Sequence, residues 1–478
     1  MFVCSKPFLL FDYFRVPYRL GRDAGPVADL RAAGDQGGSG TLHWVAAADG
    51  TSSLDALQPL AQLRFGSNLV SARVLPDRAA FGLLADLGGS WRPWLAIIDA
   101  RGQRVGSIWR DDEESVFLPF DPSEAIRNLW SESYTGESTR GRMATIARRG
   151  YYRVRPLMPR TTQIRLRRAF TRVQQQVKFP RWPIEPALHD LYEWLFMLVS
   201  EVTGQTAPRL APWPNGFSWA LVLTHDVETA GGLANVRSVR QLEVRAGVRS
   251  SWNLVPRRYE VNDGLVHDLT DDGFEVGVHG LYHDGLDLDS EARLSERLPA
   301  IREAADRWDA KGFRAPALHR RWDWMDRLGF DYDSSYPDTD PYEPQSGGCC
   351  SWLPFFIGDT VELPVTLAQD HTLFVILRHT DEALWVEKAA FLRDQGGMAL
   401  LITHPDYMVE SQVLRAYERF LETFADDESA WKPLPHELAD WWRRRAASNL
   451  ELVDDKWEVV GPAAGDAVVL DAPARVSA

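Results

Sequence analysis

From Ser218 onward the chain is predicted to be an α/β domain built on a parallel sheet, and two features of the sequence predict it. Short apolar runs alternate with helix-length amphipathic segments, which is the signature of repeated βα units. Several of these runs also end in ionisable residues, at the strand ends where a parallel sheet opens its cleft. In chain order, WALVLTHD, SSWNLVP, FEVGVHG, the stretch around FRAP, TVELPVT and MALLITHP read as strands leading into polar turns. Between them NVRSVRQLEVRAG, EARLSERLPAIREAADRW, DEALWVEKAAFLRDQ and SQVLRAYERFLETF read as helices by the spacing of their apolar residues.

At 478 residues the chain is too long for one hydrophobic core, so two folded domains are expected. A formal net charge of -14 argues against a nucleic-acid partner, because neutralising phosphates requires a basic surface. The three cysteines, Cys4, Cys349 and Cys350, are too few and too clustered for a disulfide framework and lack zinc-thiolate spacing. The opening MFVCSKPFLLFDYFRVPYRL has no basic n-region and no small-residue cleavage site, so it reads as a buried first strand rather than a secretory signal. The nearest approach to a transmembrane segment, LYEWLFMLVSEV from Leu191, is short and carries Glu193 and Glu201. A cytoplasmic protein without a membrane span is the expectation.

Residues 1–135 show short apolar runs, among them LHWVAAA, LQPLAQLRF, AAFGLLADL and PWLAIIDARG, punctuated by Gly, Asp and Asn. They read as a β-rich or mixed domain without a catalytic constellation, and His43 as a packed or surface residue. Residues 136–214 form a basic connector and a helix from His189 to Thr203; between Ser138 and Trp182 there are thirteen Arg or Lys and no Asp or Glu. Within the connector, TTQIRLRRAFTRVQQQVKF puts Leu166, Phe170, Val173 and Val177 on one helical face and Arg165, Arg168 and Arg172 on another. The preferred expectation is a connector packed on an acidic catalytic domain; the alternative is attraction to membrane surfaces or anionic polymers. Residues 215–448 form the catalytic domain, and residues 449–478 a tail, docked as an edge or loose.

Four strand ends carry the chemistry. In Thr224-His225-Asp226-Val227-Glu228, residues two apart in an extended chain point the same way, so Asp226 and Glu228 face one cleft. His279 and His283 are four apart and would meet on one face of a helical turn, close enough to chelate one ion. Two histidines and a carboxylate leave coordination positions open, and a cation there lowers the pKa of bound water. Arg314 at a further strand end would pair with a carboxylate and hold it ionised. His404, after the last strand, would protonate a leaving amine.

These motifs, in this order, resemble the polysaccharide deacetylase family, carbohydrate esterase family 4 with its nodulation-type deacetylase homology domain. LTHDVE resembles the variant of the first motif with one residue between the acids. HGLYH resembles the His-x3-His motif, RAP at 314–316 the Arg-x-Pro motif, and LLITHP the final Leu-x-x-His-Pro-like ending. GFDYDSSY and VELPVT resemble intermediate segments, and the resemblance spans roughly half the chain, from near Ser218 to near Phe424. It implies a distorted (β/α) barrel and a divalent metal, commonly zinc. It further implies Asp226 as base, Glu228, His279 and His283 as ligands, Arg314 orienting the base, and His404 as acid. The implied reaction is removal of an N-acetyl group from an amino sugar or polysaccharide by attack of metal-bound water.

Glu228 stands where the family usually has Asp, so which of Asp226 and Glu228 is the ligand stays open. Ala317 and Leu318 follow the Arg-x-Pro where an aromatic is frequent. Two rival readings are a metal-dependent amidohydrolase acting on a small amide and an inactive carbohydrate-binding relative. Trp322, Trp324, Tyr336, Tyr342 and Trp352 are candidates for stacking on sugar rings, with a core role as the alternative for each.

Overall fold

The computed structural model describes residues 1–22, 25–33, 40–46, 56–135, 160–408 and 411–471. It divides into two compact units: one comprises Met1–Arg142, Pro186–Pro212 and Arg444–Ala478, the other Met143–Glu185 and Trp213–Arg443. The division is not linear along the chain. The helix Ala187–Thr203, whose inner face is buried, and the C-terminal segment, whose Val469–Leu470 pairs with Arg209–Leu210, belong to the first unit. The first half of the basic connector, residues 136–159, lies outside the described residues.

The first unit is mixed α/β around a nine-stranded sheet with both parallel and antiparallel neighbours. The opening strand, Phe2–Cys4, is buried as expected. AAFGLLADL, grouped above with the strand-like runs, lies instead in the helix Asp77–Leu87. Ala80 and Leu84, four apart, are buried and pack with Trp109 and Phe117, and this helical period overrides the run's strand-like brevity. In the described part of the tail, Asn449–Val453 and Lys456–Val460 form a hairpin, and Val469–Leu470 pairs with Arg209–Leu210. Arg445, fully buried, ties this unit together by donating to the carbonyls of Tyr13, Leu210 and Ala211.

The second unit is the (β/α) barrel. Its first strand, Trp219–Val227, is buried at every position, and the apolar run Trp219–Leu223 is what a parallel strand covered on both faces requires. It pairs in parallel with Met398–Thr403 on one side and Ser251–Leu254 on the other. From there the sheet continues through Glu275–Val278, Gly312–Phe313, Tyr332–Asp333 and Thr360–Glu362. Beyond Glu362 the chain curls round to the first edge: Leu367 N–H donates to the Leu400 carbonyl at 3.0 Å. At the same place Thr366 Oγ1 donates to Met398 O at 2.8 Å and accepts from Leu400 N–H at 2.7 Å. Side-chain hydroxyl bonds thus replace a regular ladder where the cylinder closes, which is the distortion of the barrel.

Local chemistry sets the element ends. The helix Ala230–Ala246 starts where Thr229 accepts from the amides of Gly231 and Gly232, and stops at Gly247, whose φ of 67° is open to glycine. Glu291–Trp308 is capped by Ser290. His225 points away from the cleft into the layer between sheet and helices, its ring 4.1 Å from that of Trp252. There its Nε2 lies 2.8 Å from Glu243, which also accepts from Ser250 and Tyr417, so this buried polar cluster is satisfied. The three cysteines are buried. Among the described residues no helix is long and apolar enough to cross a membrane.

Candidate active site

All six residues singled out at the strand ends converge at one end of the barrel. Asp226 is 3% exposed near the end of the strand Trp219–Val227. Its Oδ1 accepts from Arg314 Nη1 and from Asn253 Nδ2, each at 2.9 Å, and its Oδ2 lies 3.8 Å from His279 Nε2. Burial alone would raise the pKa of this carboxyl; the Arg314 charge, then His279, His404 and the Asn253 bond, outweigh it and hold it well below the usual carboxylate range. Arg314 is itself fixed by bonds to Thr224 Oγ1, Ser334 Oγ and Ser334 O, all at 2.9 Å.

Glu228, half-buried, sits on the same side as Asp226, as the two-residue period requires. Its backbone is pinned at both ends: the amide donates to Asp406 Oδ2 at 3.0 Å and the carbonyl accepts from Arg258 at 2.9 Å. Its Oε1 lies 3.0 Å from His283 Nε2 and 3.7 Å from His404 Nε2. Burial raises the Glu228 pKa, but His283, His404 and His371 together carry it well below the ordinary value.

Glu228, His279 and His283 bring ligating atoms within 4.8 Å of one another, a cluster of the size one cation fills. The residues fit a metal on two further counts. His279 Nδ1 lies 3.0 Å from the Arg314 carbonyl, so it carries the proton and leaves the Nε2 lone pair free, the usual arrangement behind a ligating histidine. His283 Nε2 is buried and turned toward Glu228 Oε1, 3.0 Å away, without meeting hydrogen-bond geometry to any of the described residues. Burial, only partly offset by Asp226, lowers the His279 pKa to about 4, so the ring is neutral as ligation requires.

The two histidines do not meet on a helical turn. Residues 279–283 form an irregular loop in which Gly280 (φ 61°) and His283 (φ 56°) both take the left-handed conformation, and the rings come within 5.0 Å by that route. Only glycine fits at 280, since a Cβ there would sit 2.5 Å from Asp287 and 2.6 Å from Pro316.

His404 follows the strand Met398–Thr403 and is held by Asp370, which sequence reasoning did not single out. His404 Nδ1 lies 2.5 Å from Asp370 Oδ1, and His404 N–H donates to Oδ2 at 2.7 Å. Burial would lower the imidazole pKa, but Asp370, then Glu228 and Asp226, raise it to about 10. Asn253 and Asp406 were also missed. Asn253 alternates on a strand like any polar residue. Its visible signal is Gly277 on the neighbouring strand, where a Cβ would lie 2.2 Å from the Asn253 side chain. Asp406 stands two residues beyond His404, and Asp370 belongs to a segment with no motif of its own.

Of the aromatic candidates, Tyr336, Tyr342 and Trp352 are buried, so they are core residues rather than a stacking platform. Trp322 stacks on Phe355, and Trp324 lies beneath the Arg321 guanidinium.

No family model matches this chain, and no curated protein matches it in sequence. Solved structures resemble about half of it. A protein described as a polysaccharide deacetylase from Mycobacterium smegmatis is 20% identical over 51% of this chain and 96% of its own, with a TM-score of 0.42. The allantoinase PuuE is 16% identical over 56% of this chain and 98% of its own, with a TM-score of 0.41. The peptidoglycan deacetylase PdaC from Bacillus subtilis is 12% identical over 48% and 94%, with a TM-score of 0.32.

Proposed function

We propose that the chain is a metal-dependent hydrolase that removes an N-acyl group, in the first instance acetyl, from an amino sugar. The observation that carries this reading is the opposition of two differently charged groups across one cluster. Asp226 is held ionised by Arg314, and His404 is held protonated by Asp370, with Glu228, His279 and His283 between them. Two titratable groups driven apart in this way mark the base and the acid of a hydrolytic site.

A divalent cation held by Glu228, His279 and His283 supplies Lewis acidity toward the acyl carbonyl and toward a water molecule. Asp226 accepts the proton of the attacking water, and Arg314 and Asn253, both bonded to its Oδ1, leave Oδ2 directed at the cleft. His404 presents Nε2 to the cleft because Nδ1 is committed to Asp370, and from there it delivers a proton to the departing nitrogen. A C–O bond forms, the amide C–N bond breaks, and the products are a carboxylate and a free amine.

Acetate release from N-acetylglucosamine oligomers by metal-stripped protein, before and after zinc is restored, tests the reading. Metal-restored release that Asp226→Asn and His279→Ala abolish is the expected result. Release from small acyl amides alone would replace the amino sugar with a small-amide substrate, and metal binding without any hydrolysis would overturn the reading.

A further inference from the structure

The helix Arg160–Gln174 is mounted with its polar side inward. On its inner face Arg168 donates to the Val375 carbonyl at 2.9 and 2.8 Å, and Arg167 donates to Tyr342 O at 3.2 Å and lies 3.4 Å from the buried Glu343. Thr171 and Gln174, one and two turns on, are buried on the same face. The opposite face carries Leu166, Phe170, Val173 and, on the continuing turn, Val177, at i, i+4, i+7 and i+11. These are 49%, 57%, 58% and 43% exposed. An ordinary surface helix turns such a stripe toward the core.

We propose that this outward stripe docks the protein on an anionic lipid bilayer. The charge of the surroundings selects the occupant. Arg165 and Lys178 are exposed on the same segment, and residues 138–182 contain thirteen basic and no acidic residues in a chain whose net charge is -14. A second copy meeting the stripe about a two-fold axis would set these cations against themselves. The stripe is also a single row of four side chains, whereas a stable protein interface engages roughly 20 to 30 residues a side. A bilayer surface needs only this: apolar side chains reaching the acyl boundary, with cations at the level of anionic headgroups.

The test is co-sedimentation of the full chain with vesicles of phosphatidylcholine alone and of phosphatidylcholine mixed with phosphatidylglycerol, with oligomeric state followed by light scattering. Binding to the mixed vesicles only, weakened by salt and by about tenfold in Phe170→Glu, is the expected result. Val173→Glu, on the same exposed face, repeats the measurement independently. Three results would overturn the proposal: vesicle binding that neither variant weakens, no binding to either vesicle, or a soluble dimer that Phe170→Glu dissociates.

Discussion

His404 and Asp370 are joined twice: Nδ1 of the imidazole lies 2.5 Å from one carboxylate oxygen, and the backbone N–H of His404 donates to the other. The carboxylate therefore fixes both where the ring points and which nitrogen faces the cleft. Its negative charge also helps keep the ring protonated up to about pH 10. In Asp370→Asn the amide oxygen still accepts a hydrogen bond while the charge is gone, so the His404 pKa falls. The alkaline limb of the kcat/KM profile for deacetylation is expected to move toward neutral pH. An unmoved limb with a lower plateau would make Asp370 merely structural.

Asp226→Asn preserves the shape of the side chain proposed as base and the bond from Arg314, but removes its capacity to take a proton. Turnover is expected to fall by roughly 10²- to 10⁴-fold, the range general acid–base groups supply, with zinc content unchanged. Metal analysis beside steady-state kinetics checks both halves. Loss of zinc in this variant would transfer the ligand role from Glu228 to Asp226.

His283→Ala and Glu228→Gln each remove a donor from the cluster that gathers within 4.8 Å. Zinc bound per chain, measured after dialysis against a weak chelator, is expected to fall in both, with melting of the barrel little changed in the metal-free state. A full complement of zinc in His283→Ala would exclude that histidine as a ligand.

Behind Arg314, Asp333 and Glu362 are buried together, both accepting from the Ser335 amide, at 2.9 and 3.1 Å. Burial raises the Asp333 pKa from 3.8 to about 6, with bonds from its neighbours opposing, and burial and the Asp333 charge raise that of Glu362. For an acid whose folded pKa is raised, the stabilising contribution is complete below the unfolded value of 3.8 and disappears as pH climbs through about 6. Glu362→Gln keeps the acceptor oxygen for the Ser335 and Tyr336 amides and removes one charge. Its Tm relative to the parent is expected to rise steadily between mildly acidic and neutral pH. A pH-independent difference would show that the pair does not share a proton.

Much of the site was legible because a parallel strand delivers its last residues to the cleft whatever the surrounding packing, so Asp226, Glu228, Arg314 and His404 could be read as strand ends. Asp370, Asn253 and Asp406 act through partners more than twenty residues away in sequence, and no local period encodes such a meeting. The His279–His283 pair was legible as a pair but not in its geometry, because the helical spacing is met by a loop with two left-handed residues. The basic helix shows the same limit. Its periodicity states which face is apolar, whereas the direction of that face depends on carbonyls at Tyr342 and Val375 that only folding brings near.

The closure at Thr366 has a dynamic consequence. Along Trp219–Val227 the adjoining strands are stitched by successive backbone bonds, but here one backbone bond and a single hydroxyl hold Met398–Thr403 to its other neighbour. Amide exchange at Leu367 and Leu400 is therefore expected to outpace that at Leu221 and Leu223, which sit in the full ladder. The sparse seam borders the strand Met398–Thr403, whose end carries His404, so the pair of hydrogen bonds between Asp370 and that residue spans the part of the wall with the fewest ladder bonds of its own.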